Sequence, residues 1–390
     1  MNPALPKNIE KLHESRKGGV KVIITYASAG AGHFKAAEAI YDCFKKQHKE
    51  IDVEIVDILK KTNVLFRLSY TFGYSFLINH AVFLWRLAFL ATYVGFLRRF
   101  TRPIALVINR LNAKSFSWFL KQESPDFIIS THFLPSEISA RLKKTGKINS
   151  KIISVVTDFG IHPFWISRGT DIYIVASDYT KEQLIKEGIE EDGIKVLGIP
   201  VHSKFLGQFE KASLCKKLGI GPDRFTVLLV IGSFGIGPIE EIVGLLHREA
   251  QVLVICAKNR NLFKKLKNKK YPNLTVLGFV ENVQELMAVS DVIITKPGGM
   301  TVSELLAMEL VPIFISAIPG QETTNAEVMK NYGIGITADN PGDVRDAVIG
   351  LRNNPDKLEV MREKIRMIKR PFAAEEICNV VCSNSIGAGS

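Results

Sequence analysis

Thr295-Lys296-Pro297-Gly298-Gly299-Met300-Thr301-Val302-Ser303-Glu304 follows a short β-branched run, Asp291-Val292-Ile293-Ile294, and leads through a helical segment into Val311-Pro312-Ile313-Phe314-Ile315. Two apolar runs around one helical segment read as buried parallel strands joined by a crossover helix. The glycine pair lets backbone approach a ligand closely, and a helix opening at Thr301 offers free N–H groups to an anion. Glu304 falls one turn into that helix, where a carboxylate suits a pair of sugar hydroxyls; the plainer reading is that it complements the helix dipole. A second polar cluster, Gln321-Glu322 with Asn325, follows Pro319-Gly320 after the next strand. Both clusters then stand at carboxyl ends of parallel strands, where open α/β sheets bind ligands.

The same pattern extends outward in both directions. Upstream, Thr226-Val227-Leu228-Leu229-Val230-Ile231 is a strand running into Gly232-Ser233-Phe234-Gly235-Ile236-Gly237-Pro238, with a helix starting near Pro238 and further strands at 252–255 and 274–277. That loop has the strand-before, helix-after context of a phosphate cradle, but no Gly-Lys-Ser/Thr follows, so it is not a P-loop. Paired with the helix start at Gly298, it offers two N-termini between which a diphosphate fits. The first half repeats the alternation, with strands at 20–25, 53–56, 126–130, 152–157, 172–176 and 195–197, and a loop Ala27-Ser28-Ala29-Gly30-Ala31-Gly32-His33 after the first of them. The fold class is therefore α/β, with two Rossmann-like domains whose parallel sheets face each other across a cleft. The domains read as 1–199 and 200–370, linked at Gly198-Ile199-Pro200-Val201, with a C-terminal helix and Ser/Gly-rich tail over 371–390 and disorder expected from Ser383.

Composition narrows the partners. Hydrophobic residues make up 46% of the 390, too many for a disordered chain, and the formal charge of +12 points to an anionic partner. Five scattered cysteines suggest reduced thiols in a cytoplasmic protein and no metal site, and the polar start of the chain suggests no signal peptide. Residues 58–122 contain no Asp or Glu but ten Lys/Arg, among them Arg67, Arg86, Arg98 and Arg99, interleaved with aromatics such as Trp85. The longest uncharged run there is shorter than the about 20 residues a spanning helix needs. The expectation is of helices lying on a membrane face, basic side chains among anionic headgroups and aromatics in the interfacial zone. The alternative is a hydrophobic domain core with solvated arginines.

Val156-Thr157-Asp158 ends a strand, and His162-Pro163-Phe164-Trp165 follows in its loop. Asp158 can take a proton from an acceptor hydroxyl or merely cap the turn; His33 can contact a substrate or merely cap its helix.

Gly30-Ala31-Gly32-His33, the Val156 to Pro163 loop, the 232–238 loop, the Lys296 to Glu304 run and Pro319-Gly320-Gln321-Glu322 occur in one order. Together they resemble the monogalactosyldiacylglycerol synthase and processive glucosyldiacylglycerol synthase family, related to the N-acetylglucosaminyltransferase that forms lipid II. The resemblance implies a GT-B fold and inverting transfer from a UDP-hexose to diacylglycerol; with helix N–H groups to stabilise the departing UDP, no obligatory metal or other cofactor is expected. With the acid-free block and the cysteine usage, the expected place is peripheral, on the cytoplasmic face of the cell membrane, with anionic lipids and no nucleic acid as partners. The resemblance puts the general base on Asp158, with His33 the second candidate. It puts ribose on Glu304, the sugar on Gln321 and Glu322, and the uracil near Phe279 and Val280. The remaining donor contacts fall on Gly232, Ser233, Phe234, Gly235, Lys296, Gly298, Gly299, Met300 and Thr301, and acceptor contacts on Gly32 and His162. Ala31 stands where the family has a glycine. Competing readings are transfer to an undecaprenyl-linked peptidoglycan intermediate, a non-catalytic nucleotide-sugar or membrane-binding module, an integral membrane protein, and a dinucleotide oxidoreductase with Asp57 as its ribose acid.

Overall fold

β1 (Lys21–Tyr26), β2 (Asp52–Asp57), β3 (Phe127–Ser130), β4 (Lys151–Val155), β5 (Ile172–Val175) and β6 (Ile194–Val196) make one parallel sheet in the order β2-β1-β3-β4-β5-β6. A second parallel sheet contains β7 (Thr226–Val230), β8 (Gln251–Ile255), β9 (Leu274–Leu277), β10 (Val292–Thr295), β11 (Val311–Phe314) and β12 (Ile336–Thr337), in the order β12-β11-β10-β7-β8-β9. The computed structural model describes residues 19–73, 76–77, 81–232 and 237–386. Ser233, Phe234 and Gly235 lie outside the described residues, as does the 387–390 end of the expected tail.

In β1, β3, β4, β5, β8, β10 and β11 the Val, Ile and Leu residues are buried on both faces, as parallel strands sandwiched by helices require, while the edge strands β2, β6, β9 and β12 are less covered. Each sheet reverses its winding at one place. β1 lies between β2 and β3, and β7 lies between β10 and β8, so crevices open beyond the carboxyl ends at β1/β3 and β7/β10. The Gly30 loop follows β1 and the Gly298 turn follows β10, one at each crevice. β12 is two residues long and carried no strand signal in the sequence; it pairs with β11 at the sheet edge.

α1 (Ala31–Gln47) follows β1, and the last helix (Ala373–Ile386) packs against it rather than against the second domain. Ile377, Cys378 and Val381 join Ala37, Ile40 and Phe44 in one core, so the chain end crosses back and ties the two sheets together. The helix also runs through Ser383, where disorder was expected. The hydroxyls of Ser383 and Ser385 donate to the carbonyls of Asn379 and Val381, so these polar residues satisfy themselves within the helix.

The acid-free block forms a helical layer that includes α2 (Val82–Tyr93) and α3 (Gly95–Asn112). Most of the exposed large apolar side chains among the described residues belong to this layer. On α3, Phe96, Phe100, Ile104, Val107 and Leu111 recur at helical spacing and all face out, Phe96 at 74% exposure. Among the described residues no helix is long and apolar enough to cross a membrane.

Candidate active site

A cavity of about 660 Å³ lies between the domains, walled by the two crevices and roofed by the helical layer. From the first domain it is lined by the Gly30–His33 loop, Lys35, His132, Thr157, Asp158 and His162, and from the second by Gly298, Gly299, Met300, Thr301, Gln321 and Glu322. Two helices point their N-termini into it. α1 starts after Gly30, and α4 (Gly299–Ala307) starts after Gly298, two residues earlier than the sequence suggested. Neither start has a side-chain cap, so their first N–H groups stay available to an anion. The expected partner of the Gly298 start was the Gly232 loop, whose residues 233–236 lie outside the described ones; among the described residues, the second helix start on the cavity follows Gly30. Glycine is obligatory at Gly299 because a Cβ there would stand 2.0 Å from the Thr157 carbonyl oxygen. α4 is thus pressed onto the segment after β4 that leads into Asp158.

Asp158 follows β4 and retains partial exposure. Asn325, fully buried on α5 (Gln321–Asn331), donates its Nδ2 to Asp158 Oδ1 at 3.0 Å and to the Pro297 carbonyl at 3.0 Å. Its Oδ1 accepts the Phe159 N–H at 2.8 Å. One amide therefore fixes the acid loop of the first domain against the glycine turn of the second. Burial pushes the Asp158 carboxyl up to about 7; the Asn325 hydrogen bond opposes the rise and the Glu322 carboxylate adds to it. A group with that value is half ionised near neutrality, which suits it to accept and return a proton.

His33 sits in the first turn of α1 with Nδ1 2.8 Å from the Thr131 carbonyl and 3.0 Å from Thr157 Oγ1. A carbonyl only accepts, so Nδ1 carries the proton and Nε2 is the acceptor. Burial lowers this histidine to about 4, so it is neutral at pH 7. His132, which the motifs did not single out, packs edge-on to His33 with ring centroids 4.5 Å apart and caps its helix by accepting the Leu134 N–H at Nδ1. His162 likewise accepts the Phe164 N–H at Nδ1 and meets Thr92 Oγ1 with Nε2 at 3.2 Å. It too is lowered to about 4, mainly by burial and further by Arg98. The histidines here are neutral hydrogen-bonding groups rather than cations.

Glu304 lies on α4 but does not line the cavity; it is buried at 5% exposure and reaches Lys35 Nζ at 3.2 Å across the cleft. Burial raises its pKa, and Lys35 pulls it back. Glu322 Oε2 accepts the Ile318 N–H at 2.7 Å, which locks the loop before α5. Lys296, Phe279 and Val280 do not line the cavity, and Phe279 is largely exposed.

The roof holds a difference from expectation. Trp85 is turned inward: it lines the cavity and donates Nε1–H to the Pro319 carbonyl at 3.1 Å. One turn on, the Phe89 ring covers Gly320, whose φ of +105° and lack of room for a Cβ (2.8 Å from that ring) both demand glycine. Arg98 forks onto Glu187 with two bonds of 2.9 and 3.0 Å, so its charge is answered within the chain, whereas Arg86 and Arg99 are exposed.

The monogalactosyldiacylglycerol (MGDG) synthase family model matches residues 33–201, and the glycosyltransferase family 28 C-terminal domain matches 227–369. A processive diacylglycerol β-glucosyltransferase of Bacillus pumilus is 29% identical over 94% of this chain and 95% of its own. One from Bacillus mycoides is 30% identical over 94% of each chain. Among solved structures, Acinetobacter baumannii MurG superposes with a TM-score of 0.58 at 14% identity, covering 93% of this chain and 99% of that one. The fold is thus GT-B, and the chain belongs to the glycosyltransferase family that contains the monogalactosyldiacylglycerol synthases and the processive diacylglycerol β-glucosyltransferases.

Proposed function

We propose that the protein transfers a hexose from a UDP-sugar to the free hydroxyl of diacylglycerol, with inversion, while attached peripherally to the cytoplasmic face of a membrane. One observation carries the reading: Asp158, with a pKa near 7, shares a single cavity with two uncapped helix N-termini. An alcohol is a poor nucleophile until its proton leaves as the new bond forms. Asp158 takes that proton, the oxygen attacks the anomeric carbon from the face opposite the leaving group, and UDP departs toward the helix N-termini. Fixed N–H dipoles stabilise the charge that grows on the phosphate without needing a metal. Leu77, Phe89, Phe133 and Phe164 give the cavity the apolar walls that suit a lipid acceptor. The exposed apolar face of α3 and the basic residues Arg86 and Arg99 suit a surface of anionic lipids.

The test is chromatography of lipids made from diacylglycerol in mixed micelles with radiolabelled UDP-glucose or UDP-galactose, with and without a chelator. A β-linked glycolipid from one donor, unaffected by chelation, is expected; an α-linked product removes inversion, and no labelled lipid removes the acceptor.

A further inference from the structure

Lys35 belongs to no motif in the sequence, yet it is a cation that reaches across the cleft to Glu304. It is the fifth residue of α1, immediately after the uncapped turn, and lines the same cavity as Gly298 and Thr301. The two helix starts are close enough that a Cβ on Gly32 would stand 3.2 Å from Met300 Cγ. The Lys35 side chain is 49% exposed, while Glu304, its partner at 3.2 Å, is 7% exposed, so the carboxylate is held and the ammonium is free to swing. Lys204 also favours ionised Glu304, but at longer range, and its Nζ is bonded to the Glu281 carbonyl at 2.8 Å.

We propose that Lys35 is the group that meets the diphosphate of the nucleotide donor, released from Glu304 when the ribose hydroxyls take that carboxylate. The assignment rests on the UDP-sugar reading above. An ammonium on a flexible stem relocates readily, and a diphosphate outbids one carboxylate that is gaining two hydroxyl donors. In the transfer, the bond from acceptor oxygen to anomeric carbon forms while the bond to the β-phosphate oxygen breaks. The electron pair stays on that oxygen, and the acceptor proton passes to Asp158. Negative charge therefore grows at the phosphate, and Lys35 meets it more strongly in the transition state than in the bound donor.

Calorimetric titration with uridine, UMP and UDP on the wild type, Lys35→Met and Lys35→Arg tests this, with turnover on UDP-glucose and thermal melts as a check of folding. Lys35→Met should bind uridine much as wild type does and UDP roughly 10–100-fold more weakly, the worth of a charge-assisted contact. UMP should fall in between, turnover should drop, and Lys35→Arg should restore most of both. Equal loss of uridine and UDP overturns the proposal, because Lys35 then acts only through Glu304. Unchanged UDP affinity overturns it as well. A wild type that binds neither uridine nor UDP overturns the UDP-sugar reading itself, and this assignment with it.

Discussion

Asp158, at the cavity wall, and Glu304, buried behind it in the second domain, are two carboxylates whose pKa burial raises. Their partners differ. Asp158 is held by the neutral amide of Asn325, and Glu304 by the ammonium of Lys35. An amide steadies an ionised carboxylate without forbidding a proton; an ammonium holds the charge in place. The first arrangement suits a proton acceptor and the second an anchor for donor hydroxyls. Environment rather than residue type separates two otherwise equivalent acids.

The sharpest way to break that contrast is Asp158→Asn. Shape and hydrogen bonding survive but the proton acceptor is lost, so turnover should fall about 10²–10⁴-fold. UDP affinity, read by calorimetry, should stay near wild type. If most turnover survives, the base is not Asp158 and His33, tested as His33→Gln, takes its place.

The pH profile sharpens the same point. A base works only when deprotonated, so kcat/KM should fall as pH drops through about 7, and that limb should vanish in Asp158→Asn. Stability should move the opposite way. An unfolded aspartate releases its proton near about 4, so between that pH and about 7 the folded chain binds more protons and loses stability as pH rises. Thermal unfolding should therefore show Asp158→Asn more stable than wild type at pH 8, with the gap closing toward pH 5.

On the anchor side, Glu304→Gln should weaken UDP by about tenfold, the loss of a charge-assisted hydrogen bond, with turnover at saturating donor much less affected. Titration showing unchanged UDP affinity would remove the ribose assignment and leave Glu304 a partner of Lys35 alone.

The smallest effects lie in the helical layer, where neighbouring arginines make a second contrast. Arg99 is exposed, while Arg98 is bound by Glu187. Arg99→Ala should lower partitioning onto anionic vesicles by about fivefold, near the worth of one basic residue at such a surface. Arg98→Ala should change it less, and salt should weaken binding throughout. Flotation that is insensitive to salt and equal on neutral vesicles would defeat the electrostatic part of the attachment.

Alternation of short β-branched runs with glycine turns and helical periodicity was enough to predict two parallel sheets and to set Asp158, His33 and the Gly298 turn at strand ends. These are local signals: the period of a strand and the need for glycine at a tight turn are written in neighbouring residues. The acid-free block was equally plain, because charge depletion over 58–122 is a property of sequence alone. Which side chains meet was not. Lys35 and Glu304 are 269 residues apart, and Asn325 and Asp158 are 167 apart. No periodicity links such positions, and only docking one sheet against the other brings them within hydrogen-bond range. Trp85 reads as one more interfacial aromatic in a row of them, and it turns inward because the Pro319 carbonyl stands opposite it in the folded chain. Burial raises both carboxylates, and that burial exists only once the two domains close on each other.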